Sequence, residues 1–515
     1  MKKISSVNPL RLVPLLTALA LLSGCMASIP VRQDSEQTLP PVAKQYKAPL
    51  GDVSDSLVLP VLLNLPNART GRLEYLQERL LVSHNRHPAE YAIRRLFTYS
   101  GTTQTAPLSR ETVLSLNPGS AIEISGGTAT VNLGPSALSI SNQDRYLVSR
   151  AIANTLTQWG DVHYVNVLIN NRQPGLDTAA TMPVGSLARM PDGDIAGLWD
   201  AACRKPAAPS SPYTAMATLY YPVSAGRGIV AAPVMVSSQD HSLTDFVKAL
   251  LEALSGQPQG LPVQVRVPDL LTMLAQEPVI TEAAGTTGRV IQLHFHESLN
   301  EALISAGIPR SVMMASLTYT MTTFVPLTSG LKVTIGQEPI MAVVPAGLYE
   351  GAGKEILFEN GLMQRTQFSD FLLDYCTLYF ANALGGLSSS LRPIPYYQAY
   401  NPRYLLGQLM LGPLNTDSAA GLAPVLPEGL KDADLLGLTR QQDMILVNIS
   451  GKLRDLSNDM SAQEELLMVY AMVNTLTQRG AVKRVLLYLD GQQEGTVVHT
   501  LDLSGAFLRN EGIIQ

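Results

Sequence analysis

Cysteine is nearly absent from this 515-residue chain, which contains only Cys25, Cys203 and Cys376. Three thiols are too few for a disulfide scaffold, and their spacing matches no zinc pattern. Charge is sparse as well: 15% of residues are charged, and 37 Lys and Arg face 42 Asp and Glu for a formal net charge of −5. A protein that grips nucleic acid neutralises phosphates with a basic surplus or a basic stripe. No window offers either, so nucleic acid is excluded as a partner. Catalytic signatures are also lacking. There is no Gly-rich phosphate loop after a strand, no Gly-x-Ser-x-Gly elbow and no His-Glu-x-x-His, and nothing calls for a cofactor. What is plentiful is apolar residues, at 46%. That excludes disorder, and at roughly 100 to 200 residues per domain the length implies about three domains.

The first segment reads as an address. Lys2, Lys3 and Arg11 make a positive start, an apolar run follows from Leu12 to Leu22, and Ser23-Gly24-Cys25 closes it. The run falls short of the about 20 apolar residues that span a bilayer, so it is expected to be a secretory signal. Leu22-Ser23-Gly24-Cys25 resembles a bacterial lipobox. The resemblance implies a signal peptide at 1–24 and a diacylated Cys25 as the mature N-terminus. An ordinary signal peptide that happens to contain a cysteine is the alternative. Each buried acyl methylene contributes about 0.8 kcal/mol, so a lipidated Cys25 would hold the protein at the outer face of the cytoplasmic membrane without spanning it. Removing Lys2, Lys3 and Arg11 makes the remaining body three charges more acidic. Residues 25–52, with Pro30, Pro40, Pro41 and Pro49 and no apolar periodicity, read as the lipidated Cys and a flexible tether.

Internal repetition carries most of the information. Asn154-Thr-Leu-Thr-Gln158 recurs word for word as Asn474-Thr-Leu-Thr-Gln478. Before it, Leu147, Val148, Ala151, Ile152 and Leu156 map at constant offset onto Leu467, Met468, Ala471, Met472 and Leu476. This helical spacing puts them on one face. After it, Val165, Val167 and Ile169 map onto Val485, Leu487 and Leu489 with the alternation of a strand. Asn170-Asn171 and Asp490-Gly491 supply turn residues at the strand ends. A degenerate middle copy has Val312, Met313, Ser316, Leu317 and Met321 on the helix face, Phe324 in the place of Trp159, and Leu331, Val333 and Ile335 on the strand.

Each long helix is preceded by a strand at 130–133, 292–295 or 446–449. In the first copy Gly126-Gly127 suits a tight hairpin turn. Opening strands are expected at 57–65, 218–221 and 377–380, and first helices near Pro88–Tyr99, Ser242–Ser255 and Pro402–Leu411. Every unit thus reads strand, helix, hairpin, helix, strand. The expected class is α+β: three tandem small α/β sandwiches with two helices on one face of a mixed sheet. The tails Leu187-Ala-Arg189, Leu362-Met-Gln-Arg365 and Phe507-Leu-Arg509 echo one another as segments that would cover a sheet edge.

The pattern resembles the GerM-type sporulation and spore-germination (GerMN) domain, in which an apolar-Asn-apolar strand precedes a helix ending in Thr-Leu-Thr-Gln, and a strand finishing near Asp-Gly follows. The third copy fits from Val447-Asn448 through Asn474–Gln478 to Asp490-Gly491. The first has Asn170-Asn171 in place of Asp-Gly. The second departs most, with His294 for Asn and Tyr319-Thr-Met-Thr-Thr323 for the helix run. The domains read as 53–205, 213–371 (degenerate) and 372–515. The resemblance implies a fold similar to the ring-building motif and action by protein–protein contact. The chain would be a membrane-anchored, non-catalytic scaffold, with envelope or sporulation proteins as partners and oligomers possible. The alternative is a peptidoglycan-binding or wall-remodelling module or enzyme.

Single residues add little chemistry. His294 and His296 share a strand face but lack the further ligands a metal site needs. His84 and His87 precede a helix and read as solvent-facing or capping. Cys203 and Cys376 read as unpaired. Thr155, Thr475, Gln158 and Gln478 can bond to the last helical turn and the following loop, and Asn132 and Asn448 to local backbone. Tyr396, Tyr397, Tyr400 and Tyr404 are the best cluster for a glycan, or else a loop packed on a sheet. Cys25, the lipidation candidate, is the single residue read as a site.

Overall fold

The computed structural model describes residues 46–52, 56–83, 85–119, 121–177, 179–190, 199, 212–223, 228–256, 265–283, 288–345, 354–479, 482–493, 495 and 501–515. Cys25, His84 and Cys203 lie outside them, as do the signal segment, most of the tether and most of the Ala- and Pro-rich linker before residue 212.

One order of elements recurs three times. After a two-residue strand β1 (Gly51–Asp52), the first unit runs β2 (Ser56–Pro66), β3 (Leu73–Ser83), α1 (Ala89–Thr98), β4 (Glu123–Ser125), β5 (Thr128–Leu133), α2 (Asn142–Leu156), β6 (Tyr164–Ile169) and β7 (Leu187–Ala188). The second has β8 (Tyr213–Pro222), β9 (Ile229–Ser238), α3 (Leu243–Ser255), β10 (Val279–Glu282), β11 (Arg289–Phe295), a helix α4 (Ser298–Ser305) matched in the third unit by a single turn at Lys452–Leu456, α5 (Arg310–Phe324) and β12 (Thr328–Ile335). The short strands β13 (Glu338–Pro339), β14 (Ala342–Val343) and β15 (Ile356–Leu357) follow. The third comprises β16 (Leu373–Ala381), β17 (Leu387–Pro395), α6 (Pro402–Met410), β18 (Leu435–Gln441), β19 (Met444–Ile449), α7 (Ala462–Leu476), β20 (Arg484–Leu489) and β21 (Phe507–Leu508).

The helices start where local chemistry lets them. Ser141, Ser242 and Ser461 each accept the backbone N–H three residues on, which satisfies a donor that the first turn leaves unpaired. Glu464 returns the bond to Ser461 N and completes a capping box. Each long helix α2, α5 and α7 carries the chain between two parallel strands: β5 to β6, β11 to β12 and β19 to β20. Parallel neighbours need such a crossover. The antiparallel strand β4, β10 or β18 extends each sheet on the far side, so the sheets are mixed.

Two features differ from the pattern read in the sequence. Each opening strand is half of a long antiparallel hairpin: β2 pairs with β3, β8 with β9, and β16 with β17. The long helix touches both this hairpin and the mixed sheet. In addition, the end of the segment read as a tether is docked. Gly51 and Asp52 pair in parallel with Gly437 and Leu438 of β18, and Asn448 Nδ2 donates to Pro49 O at 2.9 Å. The echoing tails hold one position in all three units. Leu187 pairs with Val165, Met363 bridges Leu331 and Phe507 pairs with Val485, so each covers the outer edge of the last strand.

Three apolar cores fall within 57–187, 217–372 and 376–513, one for each succession of elements. Residues 48–515 nevertheless form one body. The β4–β5 turn of the first unit is wedged against both others: Ser125 Oγ donates to Leu373 O at 2.5 Å and accepts from Ala231 N at 3.0 Å. Gly126 has φ +53°, and a Cβ there would sit 1.9 Å from Ala231 O. Glycine is therefore required both by the turn and by the close approach.

Candidate functional site

The repeated Thr-Leu-Thr-Gln word joins the long helix to the opening hairpin. Thr155 Oγ1 accepts from Asn64 N at 3.0 Å, Gln158 Oε1 accepts from Leu62 N at 2.9 Å, and Gln158 Nε2 donates to Leu62 O at 3.0 Å. In the third unit Gln478 Oε1 accepts from Thr377 N at 2.7 Å, and in the second Thr320 Oγ1 accepts from Tyr220 N at 3.1 Å. The preceding Asn holds the closing tail. Asn154 exchanges two bonds with the Met190 backbone, and Asn474 does the same with Asn510. Asn132 Oδ1 and Asn448 Oδ1 accept from Asn171 N and Gly491 N, fixing the turns after the last strands. These side chains spend their polar capacity on the fold.

Just past the repeated word, the two copies diverge. Trp159-Gly160-Asp161 in the first unit stands where the third has Arg479-Gly480-Ala481. Trp159, Gly160 and Asp161 of the first unit and Arg479 of the third line a cavity of about 380 Å³ between the two units. Asp161 Oδ2 accepts from Arg479 Nη1 at 3.3 Å and from the Tyr400 hydroxyl. Arg479 Nη1 also donates to Tyr400 OH at 2.8 Å, and Nη2 to Asp374 Oδ2 at 2.8 Å and Tyr375 O at 3.1 Å. The guanidinium lies 4.5 Å from the Tyr400 ring centroid, within cation–π range. The other oxygen of Asp374 accepts from Gly126 N at 3.0 Å. One arginine of the third unit therefore binds carboxylates that also engage the first.

His87 completes the cluster. Its Nδ1 accepts from Ala89 N at 3.0 Å, which caps α1 and leaves the proton on Nε2, 3.7 Å from Asp161 Oδ1. The sequence reading of a capping residue holds, but His87 does not face solvent: its side chain is only 9% exposed. Trp159 and Tyr400 meet it edge-on at 5.1 and 4.4 Å. Burial holds the imidazole pKa below its ordinary value, against the opposing pull of Asp161. Burial alone would raise the Asp161 carboxyl, but His87, Arg479 and the Tyr400 hydroxyl more than offset it and keep it below the usual carboxylate range. Burial also pushes Tyr400 well above the ordinary phenol.

A second junction, between the first and second units, uses the same chemistry. Arg365 pairs with Glu123, donates to Thr323 Oγ1 at 2.6 Å and to Tyr220 OH at 3.1 Å, and stacks 3.9 Å from the Tyr319 ring centroid. Its counterpart Arg509 donates to Tyr379 OH at 2.6 Å inside the third unit. The tail arginines are thus built into the structure.

The other residues singled out in the sequence do not converge. His294 and His296 lie on and just after β11, and among the described residues no group of three or more His, Cys, Asp or Glu comes together. Cys376 is a free, buried thiol pushed up to about 12 by burial. The tyrosines split up: Tyr397 is exposed, Tyr396 and Tyr404 are half-buried, and the Tyr400 hydroxyl is taken up by Asp161 and Arg479. Asp161, Arg479 and Asp374 were missed. The signal for the first two was the exchange of Trp-Gly-Asp for Arg-Gly-Ala directly after the repeated word, which puts an acid in one copy and a base in the other within the same three-residue stretch, and Asp374 had no such signal.

Residues 377–495 match the family model for sporulation and spore germination, Germane. This chain carries a GerM-type domain. The match opens at Thr377, whose N–H is held by Gln478, and runs past the Asp490-Gly491 turn. Solved structures are similar to this chain at low identity. The tandem GerMN domains of the Bacillus subtilis sporulation protein GerM are 15% identical, with 58% of this chain and 99% of that one covered and a TM-score of 0.23. The first GerMN domain of the same protein is 20% identical over 26% of this chain and 96% of that one, with a TM-score of 0.19. A candidate lipoprotein from Clostridium perfringens is 23% identical over 26% and 87%, also at 0.19. No curated protein sequence matched the chain.

Proposed function

We propose that the chain is an extracytoplasmic lipoprotein whose three GerM-like units form a non-catalytic scaffold for envelope assembly in sporulation or germination. The observation that carries this reading is the locking of the units. Arg479 and Arg365 tie the first unit to the third and second through buried charge pairs, so surfaces on three similar units are presented in fixed relation. Such rigidity suits a body that positions partners. The degenerate middle unit extends the family match in this reading: it keeps the element order, the threonine that holds the opening hairpin and the closing tail. Lipidation at Cys25 would supply the membrane attachment.

Two measurements test it. Cys25→Ala should move the protein from the membrane fraction to the soluble one, and retention would refute the anchor. Affinity capture from sporulating cells, with capture from vegetative cells as control, should enrich envelope proteins through the intact body and lose them when Arg479→Met loosens it. An Arg479→Met protein that captures the same set equally well would overturn the rigid-scaffold reading.

A further inference from the structure

A small cleft of about 200 Å³ opens where the first unit meets the second, between the turn after β6 and the closing tail of the second unit. Asn170 and Asn171 make that turn with left-handed backbones, at φ +50° and +65°, and Arg172 N and O both bond to the Ile169 backbone. Asn132 steadies the turn: it accepts from Asn171 N at 2.9 Å and donates to Asn171 Oδ1 at 2.7 Å. The backbone at Arg172 is pinned, yet its half-buried guanidinium has no hydrogen-bond or ion-pair partner among the described residues. From the second unit, Ser329 Oγ on β12 is buried and likewise without a partner. Gly288 lies against both. Its φ is not positive, so no turn calls for a glycine there, but a Cβ would sit 1.9 Å from Ser329 Oγ and 3.0 Å from Arg172 Nη1. The missing side chain keeps room for the guanidinium and the hydroxyl side by side.

We infer that this cleft binds a phosphate-type oxyanion, with Arg172 as the charged donor and Ser329 Oγ as the buried one. No carboxylate lines it, and the one other cation in its wall, Arg365, is already paired with Glu123. The wall holds no aliphatic or aromatic side chain, so an apolar ligand gains nothing there, and a metal cation would meet guanidinium without an acid. The volume is below the about 300–1,000 Å³ usual for organic ligands and suits a single acidic group, free or at the end of a larger molecule. A phosphate brings close to two charges and several acceptor oxygens, enough to engage a guanidinium of one unit and a hydroxyl of the other at once. The charge belongs to this junction and not to the repeated fold, because the third unit has Gln492 where the first has Arg172.

Calorimetric titration of the purified full chain, in chloride at constant ionic strength, tests this. Inorganic phosphate should bind at one site with a Kd at or below about 1 mM, and acetate at least about tenfold more weakly. Glycerol 3-phosphate separates the two sources of the group: affinity equal to or above that of phosphate marks a monoester as the natural ligand, and lower affinity marks the free ion. Arg172→Gln should weaken phosphate binding at least about tenfold with the urea midpoint unchanged, since that side chain has no partner to lose. Ser329→Ala should weaken it as well. No saturable binding of either phosphate compound would overturn the inference, as would acetate binding as tightly as phosphate or an Arg172→Gln protein that binds phosphate like the parent.

Discussion

Arg479 of the third unit donates to Asp161 of the first at 3.3 Å and to Asp374 of its own at 2.8 Å, so one guanidinium stands between two carboxylates from different units. Removing it strands both acids in a poorly hydrated junction. Breaking a fully buried pair costs about 3–5 kcal/mol, and because Arg479 and Asp161 are 17% and 24% exposed the loss here should fall below that range. Arg479→Met should lower the urea midpoint accordingly, and Arg479→Met with Asp374→Asn should recover part of the loss. An Arg479→Met midpoint equal to that of the parent would show that the junction does not bear on stability.

The same cluster sets an acid sensitivity. In the fold His87 is held below its ordinary pKa and Asp161 below its own, so near those values the unfolded chain binds more protons than the folded one. Stability then rises with pH. It should be fully present above about pH 6.5, fall first as a charge is forced onto the His87 ring, and fall again through the carboxylate range as Asp161 takes a proton. Urea midpoints measured from pH 8 to pH 2 check this, and His87→Phe should flatten the upper step. A midpoint that climbs on acidification would contradict the assignment.

Equivalent threonines in the repeated word should respond differently to one substitution. Thr155 Oγ1 accepts the Asn64 N–H, whereas Thr475 Oγ1 is buried with no hydrogen-bond partner among the described residues. Thr155→Val orphans a buried donor, at about 1–3 kcal/mol, while Thr475→Val removes an unsatisfied hydroxyl and should be neutral or stabilising. Chemical denaturation of the two variants side by side reads the difference. Equal losses would mean that the word works by packing alone.

Cys376 should be inert in the native state. It is buried, and a thiol pushed up to about 12 carries almost no thiolate at pH 8. Mass spectrometry of the peptide containing Cys376 should show alkylation by iodoacetamide only after denaturant is added. Rapid modification without denaturant would place the thiol at the surface.

The long helices were legible in the sequence because a face with helical spacing and a five-residue word recur at constant offset. The hairpin partners were not. β3 carries Glu74, Gln77, Glu78 and Arg79 spread over both of its faces, and β17 contains Pro393 and Pro395, so neither shows the regular apolar alternation of a buried strand. The site was hidden for another reason. His87, Asp161, Tyr400 and Arg479 come from two units, and their proximity is set by how whole units dock, which no local spacing encodes. The word itself was readable as structural, since threonine and glutamine near a helix end commonly bond to backbone. Which backbone they bond to depended on the unseen hairpin.

The docking of β1 on the third unit has a mechanical consequence. A pull applied at Ala48 does not first load the opening hairpin of the unit that follows it in sequence. It loads a ladder of two residue pairs on β18 and the single bond from Asn448 to Pro49. A short clasp is therefore the first to feel tension, and it can yield and re-form while the eleven-residue register of β2 on β3 stays intact. Were the chain suspended by a lipid on Cys25, as proposed, this would place a releasable slack between the point of suspension and the load.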